Sequence, residues 1–144
     1  MIAVDTNILL YAHRAETSRH TAAQAALRRL AAGPALWAVP VFVLGEFLRV
    51  ATHPRVFTPP SMTADAVAVI EAVLASPSVR LLTPGERFWP LLRQAVDDAD
   101  ARGNLVFDAQ IAAVCREHGV RSILSEDRDF MRFPTLEVVT LDSV

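Results

Sequence analysis

Four acidic residues stand where an acidic side chain is costly. Asp5 follows the apolar run Ile2-Ala3-Val4, and Asp127 comes just after the apolar segment that ends at Leu124. Glu46 lies inside Val41-Phe42-Val43-Leu44-Gly45-Glu46-Phe47-Leu48, and Asp108 opens an equally apolar stretch that ends at Cys115. A carboxylate in such surroundings loses several kcal/mol of solvation unless something compensates it. Each acid also has an ordinary structural role open to it. Asp5 and Asp127 can cap the helix or turn that follows, Glu46 can pair with Arg49 one turn along, and Asp108 can face the positive end of its helix. If all four converge, their repulsion raises their pKa values unless a cation neutralises it. Hard divalent cations take oxygen ligands, so the chemistry to look for is that of a carboxylate-held metal.

Periodicity and punctuation place these residues on elements. Short apolar runs predict strands over Ile2–Val4, 35–39, Val79–Leu82, 121–124 and 137–140. A short helix is expected over Thr6–His13, and another from an N-cap at Thr17 or Ser18 to Ala32, closed by Gly33 and Pro34. Pro40 is expected at the first position of a helix that reaches about Ala51 and, being apolar nearly all round, should be buried. Three prolines make 53–62 a loop, and a further helix starts at Thr63. Pro84 should open a helix that reaches about Ala101 and breaks at Gly103; the next covers about 105–118 and stops at Gly119. Strands alternating with helices predict an α/β fold with a mainly parallel sheet, expected to be one domain over 1–144. In such folds ligands bind at the carboxyl ends of strands, where Asp5 and Asp127 stand.

Composition sets broad bounds. At 52% apolar and 21% charged residues the chain is a folded globular protein. A mean hydropathy of +0.30 is high for this size and points to an apolar, partner-facing patch. The net charge of -2 leaves nucleic-acid binding open, and all 14 basic residues are arginine. One cysteine, Cys115, excludes an internal disulfide or thiolate cage and reads as a buried, inert thiol. His13, His20, His53 and His118 show no metal-ligand spacing. No apolar run is long enough to span a bilayer and the opening residues lack a leader pattern, so a cytoplasmic protein is expected.

Taken in order, Asp5-Thr6-Asn7, Glu46 in its apolar helix, Gly103-Asn104-Leu105-Val106-Phe107-Asp108-Ala109 and Ser125-Glu126-Asp127-Arg128-Asp129-Phe130 resemble the PIN-domain family, and more narrowly its VapC toxins. The resemblance covers essentially the whole chain. It implies a three-layer α/β/α fold, cleavage of RNA dependent on Mg²⁺ or Mn²⁺, a homodimer, and inhibition by a VapB-type antitoxin. It makes Asp5, Glu46, Asp108 and Asp127 the family's four acids, with Asp5, Asp108 and Asp127 at the metal. Asn7, Asn104 and Ser125 become polar partners of carboxylates or substrate, Ser125 standing where threonine is commoner. Asp127 is preferred to Asp129 for the metal, with Asp129 assigned to capping the turn. Arg14 and Arg128 are the arginines expected to touch RNA.

Two other readings are weaker. An aspartate-nucleophile phosphatase pairs two aspartates two residues apart, but the second position here is Asn7, which has no carboxyl proton to donate. A catalytically inactive PIN-like RNA-binding module should lack one or more acids, and all four are present.

Overall fold

A buried parallel sheet needs strands that are apolar on both faces, and Ile2-Ala3-Val4, Trp37-Ala38-Val39 and Ile123-Leu124 meet that demand at its centre. The computed structural model describes residues 1–144. Its strands β1 (Ile2–Val4), β2 (Trp37–Pro40), β3 (Val79–Leu82), β4 (Ser122–Leu124) and β5 (Glu137–Val139) form one sheet in the order β3-β2-β1-β4-β5. Every neighbouring pair is parallel. Helices α1 (Thr6–His13), α2 (His20–Ala32), α3 (Val41–Ala51), α4 (Thr63–Leu74), α5 (Phe88–Ala99) and α6 (Leu105–Glu117) complete the three-layer α/β/α arrangement, and a 3-10 turn spans Arg128–Arg132. One cluster of 31 buried apolar residues runs through these elements. No helix is long and apolar enough to cross a membrane.

The strand order creates the site. The chain lays β2 and β3 on one side of β1, then returns to lay β4 and β5 on the other. The switch point, where an α/β sheet opens a crevice, therefore falls between β1 and β4. Val4 pairs with Leu124, and the Asp5 N–H donates to Leu124 O at 3.1 Å. Asp5 and Ser125 thus leave adjacent strands side by side.

Element boundaries differ from expectation where tertiary contacts intervene. The second strand is Trp37–Pro40, not 35–39, because Trp37 donates twice to Ser78, N–H to O and Nε1–H to Oγ, each at 3.1 Å. Pro40 is consequently the residue before α3 and not its first helical one. Helix α2 begins at His20, since the Thr17 hydroxyl turns back to Arg14 O at 2.8 Å and caps nothing. Helix α3 is not buried all round: Val43, Phe47 and Ala51 are, while Gly45 and Arg49 are exposed. Cys115 is fully buried, and its thiol is pushed up to about 12 by burial first and then by the charge of Asp5, so it is inert as expected.

Helix α5 starts at Phe88 and not at Pro84 because the end of α6 holds the intervening loop. The Glu117 carboxylate accepts from Gly85 N at 2.7 Å and Arg87 N at 2.9 Å, while His118 Nε2 lies 2.8 Å from Thr83 O. Asp100, in the left-handed region at φ 46°, ends α5 ahead of Gly103. Charge-assisted bonds to two backbone amides make this tether significant even at the surface. Glu117→Ala is expected to cost about 1–2 kcal/mol, which is about 3–8 °C in Tm for a chain of this size. An unchanged melting curve would show that the loop holds itself.

Candidate active site

The Asp5 carboxylate is built into the backbone of its own switch point. One oxygen, Oδ1, accepts from Thr6 N at 2.7 Å, so Asp5 is the N-cap of α1. The other, Oδ2, accepts the Ser125 hydroxyl proton at 2.6 Å. Ser125 is fully buried and also receives bonds from Asn7 Nδ2 at 3.2 Å and Asp127 N at 3.0 Å. Asn7 Oδ1 in turn lies 3.5 Å from Glu126 N. Asp5, Asn7 and Ser125 thus form a hydrogen-bonded network joining β1, α1 and the segment after β4.

The remaining acids approach from three other elements. Thr6, which precedes Asn7 on α1, donates its hydroxyl to Glu46 Oε2 on α3 at 3.0 Å. Glu46 thus pairs with Thr6 across the site and forms no ion pair with Arg49. Asp108 lies in the first turn of α6. Its ligand oxygen and those of Asp127 and Asp129 lie within 4.8 Å of one another. Asp129 therefore joins the cluster together with Asp127, and the capping role is reversed: Asp127 Oδ1 accepts from Asp129 N at 2.9 Å and caps the 3-10 turn. Glu126 points elsewhere, accepting from Leu141 N at 2.7 Å and lying 3.4 Å from Arg19.

Electrostatics register the convergence. Burial raises the Asp5 carboxyl to about 6; its bonds from Ser125 and Thr6 oppose the rise, and the charges of Glu46 and Asp127 add to it. Asp108 is raised to about 7, by burial first and then by Asp127, Asp5, Glu46 and Asp129. Repulsion of this kind is what a divalent cation removes. The donor set is all carboxylate oxygen, without thiolate or imidazole, and so fits a hard ion such as Mg²⁺ or Mn²⁺.

The other expected polar residues divide. Asn104 sits one turn before Asp108, exposed and without a side-chain capping bond. Arg128 is exposed and makes no ion pair, so its guanidinium is available. Arg14 is engaged: it bonds Glu16 at 2.7 Å, Pro59 O at 2.7 Å and Ser61 Oγ at 3.0 Å, and stacks over Phe57 at 4.5 Å. It fastens the 53–62 loop. Thr6 is the member of the site that sequence reasoning passed over, although it lies inside the first of the segments that carry it.

Comparison with known proteins places this geometry in context. A family model described as PIN domain matches residues 2–136. Ribonuclease VapC43 of Mycobacterium tuberculosis is 43% identical over 136 residues, 94% of this chain and 92% of that protein. Ribonuclease VapC25 of the same species is 41% identical over 136 residues, 94% of this chain and 95% of that one. Among solved structures, M. tuberculosis VapC20, described as a sarcin-ricin loop cleaving toxin, aligns with a TM-score of 0.63 at 26% identity, covering 91% of this chain and 93% of that one. VapBC-1 from nontypeable Haemophilus influenzae gives a TM-score of 0.68 at 18% identity over 99% of both chains, a likeness of fold.

The raised Asp108 value has a consequence for stability. A folded-state value of about 7 against an ordinary 3.8 means the fold favours the protonated acid. In metal-free protein the corresponding stability is present below the ordinary value and is lost as pH climbs through the raised one. With the half-exposed site screening part of the effect, Asp108→Asn is expected to stabilise chelator-treated protein at pH 8 by about 1 kcal/mol, or about 4 °C. The gap should shrink towards pH 5. Equal melting temperatures at both pH values would mean that Asp108 is not under this electrostatic load.

Proposed function

This chain belongs to the PIN-domain family, in its VapC ribonuclease branch, and on that premise we propose that it is a metal-dependent endoribonuclease, the toxin of a VapBC-type toxin–antitoxin module. The observation that carries the proposal is the gathering of Asp5, Glu46, Asp108, Asp127 and Asp129 at the β1–β4 switch point. Asp108 and Asp127 would hold the divalent ion together with Asp129, and Asp5 would complete the charge around it. A divalent ion such as Mg²⁺ or Mn²⁺ held there would lower the pKa of a water and neutralise charge on the scissile phosphate.

The residues of the chain supply orientation and proton handling. Asp5 has both oxygens already fixed, by Thr6 N and by Ser125, so it can accept further bonds without reorganising. Glu46, held by the Thr6 hydroxyl, would take a proton from the attacking water or orient it. Water attacks phosphorus in line, the P–O3′ bond breaks, and the departing O3′ takes a proton. The products are a 5′-phosphate and a 3′-hydroxyl. Ser125 and Asn7 act through Asp5 and Asp127 as positioning residues. Asn104 and exposed Arg128 flank the acids as contacts for the RNA backbone. The same reading gives the chain a homodimeric state and a VapB-type antitoxin as partner. Trp89 on α5, 67% exposed, is apolar surface of the sort such a partner covers.

Incubation of purified, antitoxin-free protein with tRNA and ribosomal RNA is expected to give cuts that need Mg²⁺ or Mn²⁺, stop with EDTA, and vanish in Asp5→Asn. A 2′,3′-cyclic phosphate on the products would sink the water mechanism. RNA bound but never cut would favour the inactive binding module. Ser125→Ala should lower metal affinity or kcat by about 10–100-fold. Ser125→Thr, which keeps the hydroxyl, should recover most of that loss; equal losses in the two variants would remove Ser125 from the mechanism.

A further inference from the structure

Beside the acids, α3 and α6 enclose a groove of about 290 Å³ whose lining, Glu46 apart, the mechanism above does not use. Phe42, Gly45, Glu46 and Arg49 line it from α3, at the spacing of one helix face, and Phe107 and Gln110 line it from α6. Glu46 belongs to both groove and acid cluster, so the two are continuous.

Three features of the groove have no use within the fold. Phe107 is 57% exposed and lies outside the packed core, unlike its neighbours Leu105 and Val106. Gly45 sits inside α3, where glycine costs about 1 kcal/mol relative to alanine. A Cβ there would meet nothing within 4 Å, so neither close packing nor a left-handed backbone calls for glycine. Arg49 is exposed without a carboxylate partner, although Glu46 lines the same groove. An aromatic wall, an open floor and free donors and acceptors at the rim match one kind of ligand, a flat ring with a hydrogen-bonding edge.

We propose that this groove is a nucleobase subsite that takes one unpaired base of the RNA strand next to the scissile phosphate. The inference rests on the nuclease reading above and deepens it by assigning a substrate contact. Phe107 stacks on the base, with Phe42, itself packed on Phe88 at 5.7 Å between ring centres, as the opposite wall. The Gln110 amide and the Arg49 guanidinium address the base edge, one offering donor and acceptor and the other donors only. Gly45 leaves the floor clear. RNA substrates with an unpaired nucleotide at the cut are thereby preferred over continuous duplex.

The test scans a single abasic position through an oligoribonucleotide that the wild type cleaves, using wild type, Phe107→Ala and Gly45→Leu. At one position beside the cut, base removal should lower wild-type kcat/KM about tenfold or more. Phe107→Ala should lose a similar factor on intact RNA and then be indifferent to the missing base. Gly45→Leu should melt higher than wild type yet cleave poorly. An abasic penalty undiminished in Phe107→Ala overturns the proposal. So do variants that cut RNA as wild type does but escape inhibition by an antitoxin peptide, which would give the groove to a protein partner. If wild type cleaves nothing with either metal, the nuclease reading fails separately. Anisotropy binding of the same oligonucleotides then decides the subsite by the same cycle, and no binding at all overturns it.

Discussion

The contact on which this molecule turns is the 2.6 Å hydrogen bond from the Ser125 hydroxyl to Asp5. It spans two parallel strands at the place where the sheet changes direction, and it is fully enclosed by protein. A buried carboxylate this close to other acids needs donors aimed at it, and the fold supplies them from backbone and hydroxyl groups that cannot swing away. Ser125 is also bonded by Asn7 and by the amide of Asp127, so a single oxygen sets the relative positions of three elements.

The same enclosure sets stability against function. Gathering acids in a partly dry crevice is unfavourable, and the raised values of Asp5 and Asp108 measure that opposition. The sheet can bear it because Ala3, Val4, Ile123 and Leu124 on its central strands are fully buried and the core around them is continuous. Gly45 and Phe107 show the same tension in milder form, since each gives up helix propensity or burial that the fold alone would favour.

Much of this was legible in the residues. The short strands announced themselves as apolar runs, and the acids at their ends stood out because an α/β sheet opens its crevice there. What could not be read was whatever depends on partners distant in the chain. The start of α5 is decided by Glu117, about 30 residues further on. The start of α2 moved because the Thr17 hydroxyl found a carbonyl behind it and no amide ahead. Asp127 both caps the 3-10 turn and joins Asp108, and Asp129 joins them for a local reason: the residue immediately before the turn caps it, which leaves the next acid free to face Asp108. Arg14 looked available beside Asp5, yet its guanidinium is consumed by a loop more than forty residues away.

Asp5 and Ser125 are 120 positions apart, and that separation has a temporal meaning. The ribosome delivers a chain from its amino end at about 5–20 residues per second. Asp5 emerges first and stays without its partner until 120 further positions have been made, and Asp129 comes later still. A nascent or prematurely terminated chain that lacks β4 and the turn after it contains no assembled crevice at all. A chain built this way cannot gather its acids until β4 and the turn after it have been made.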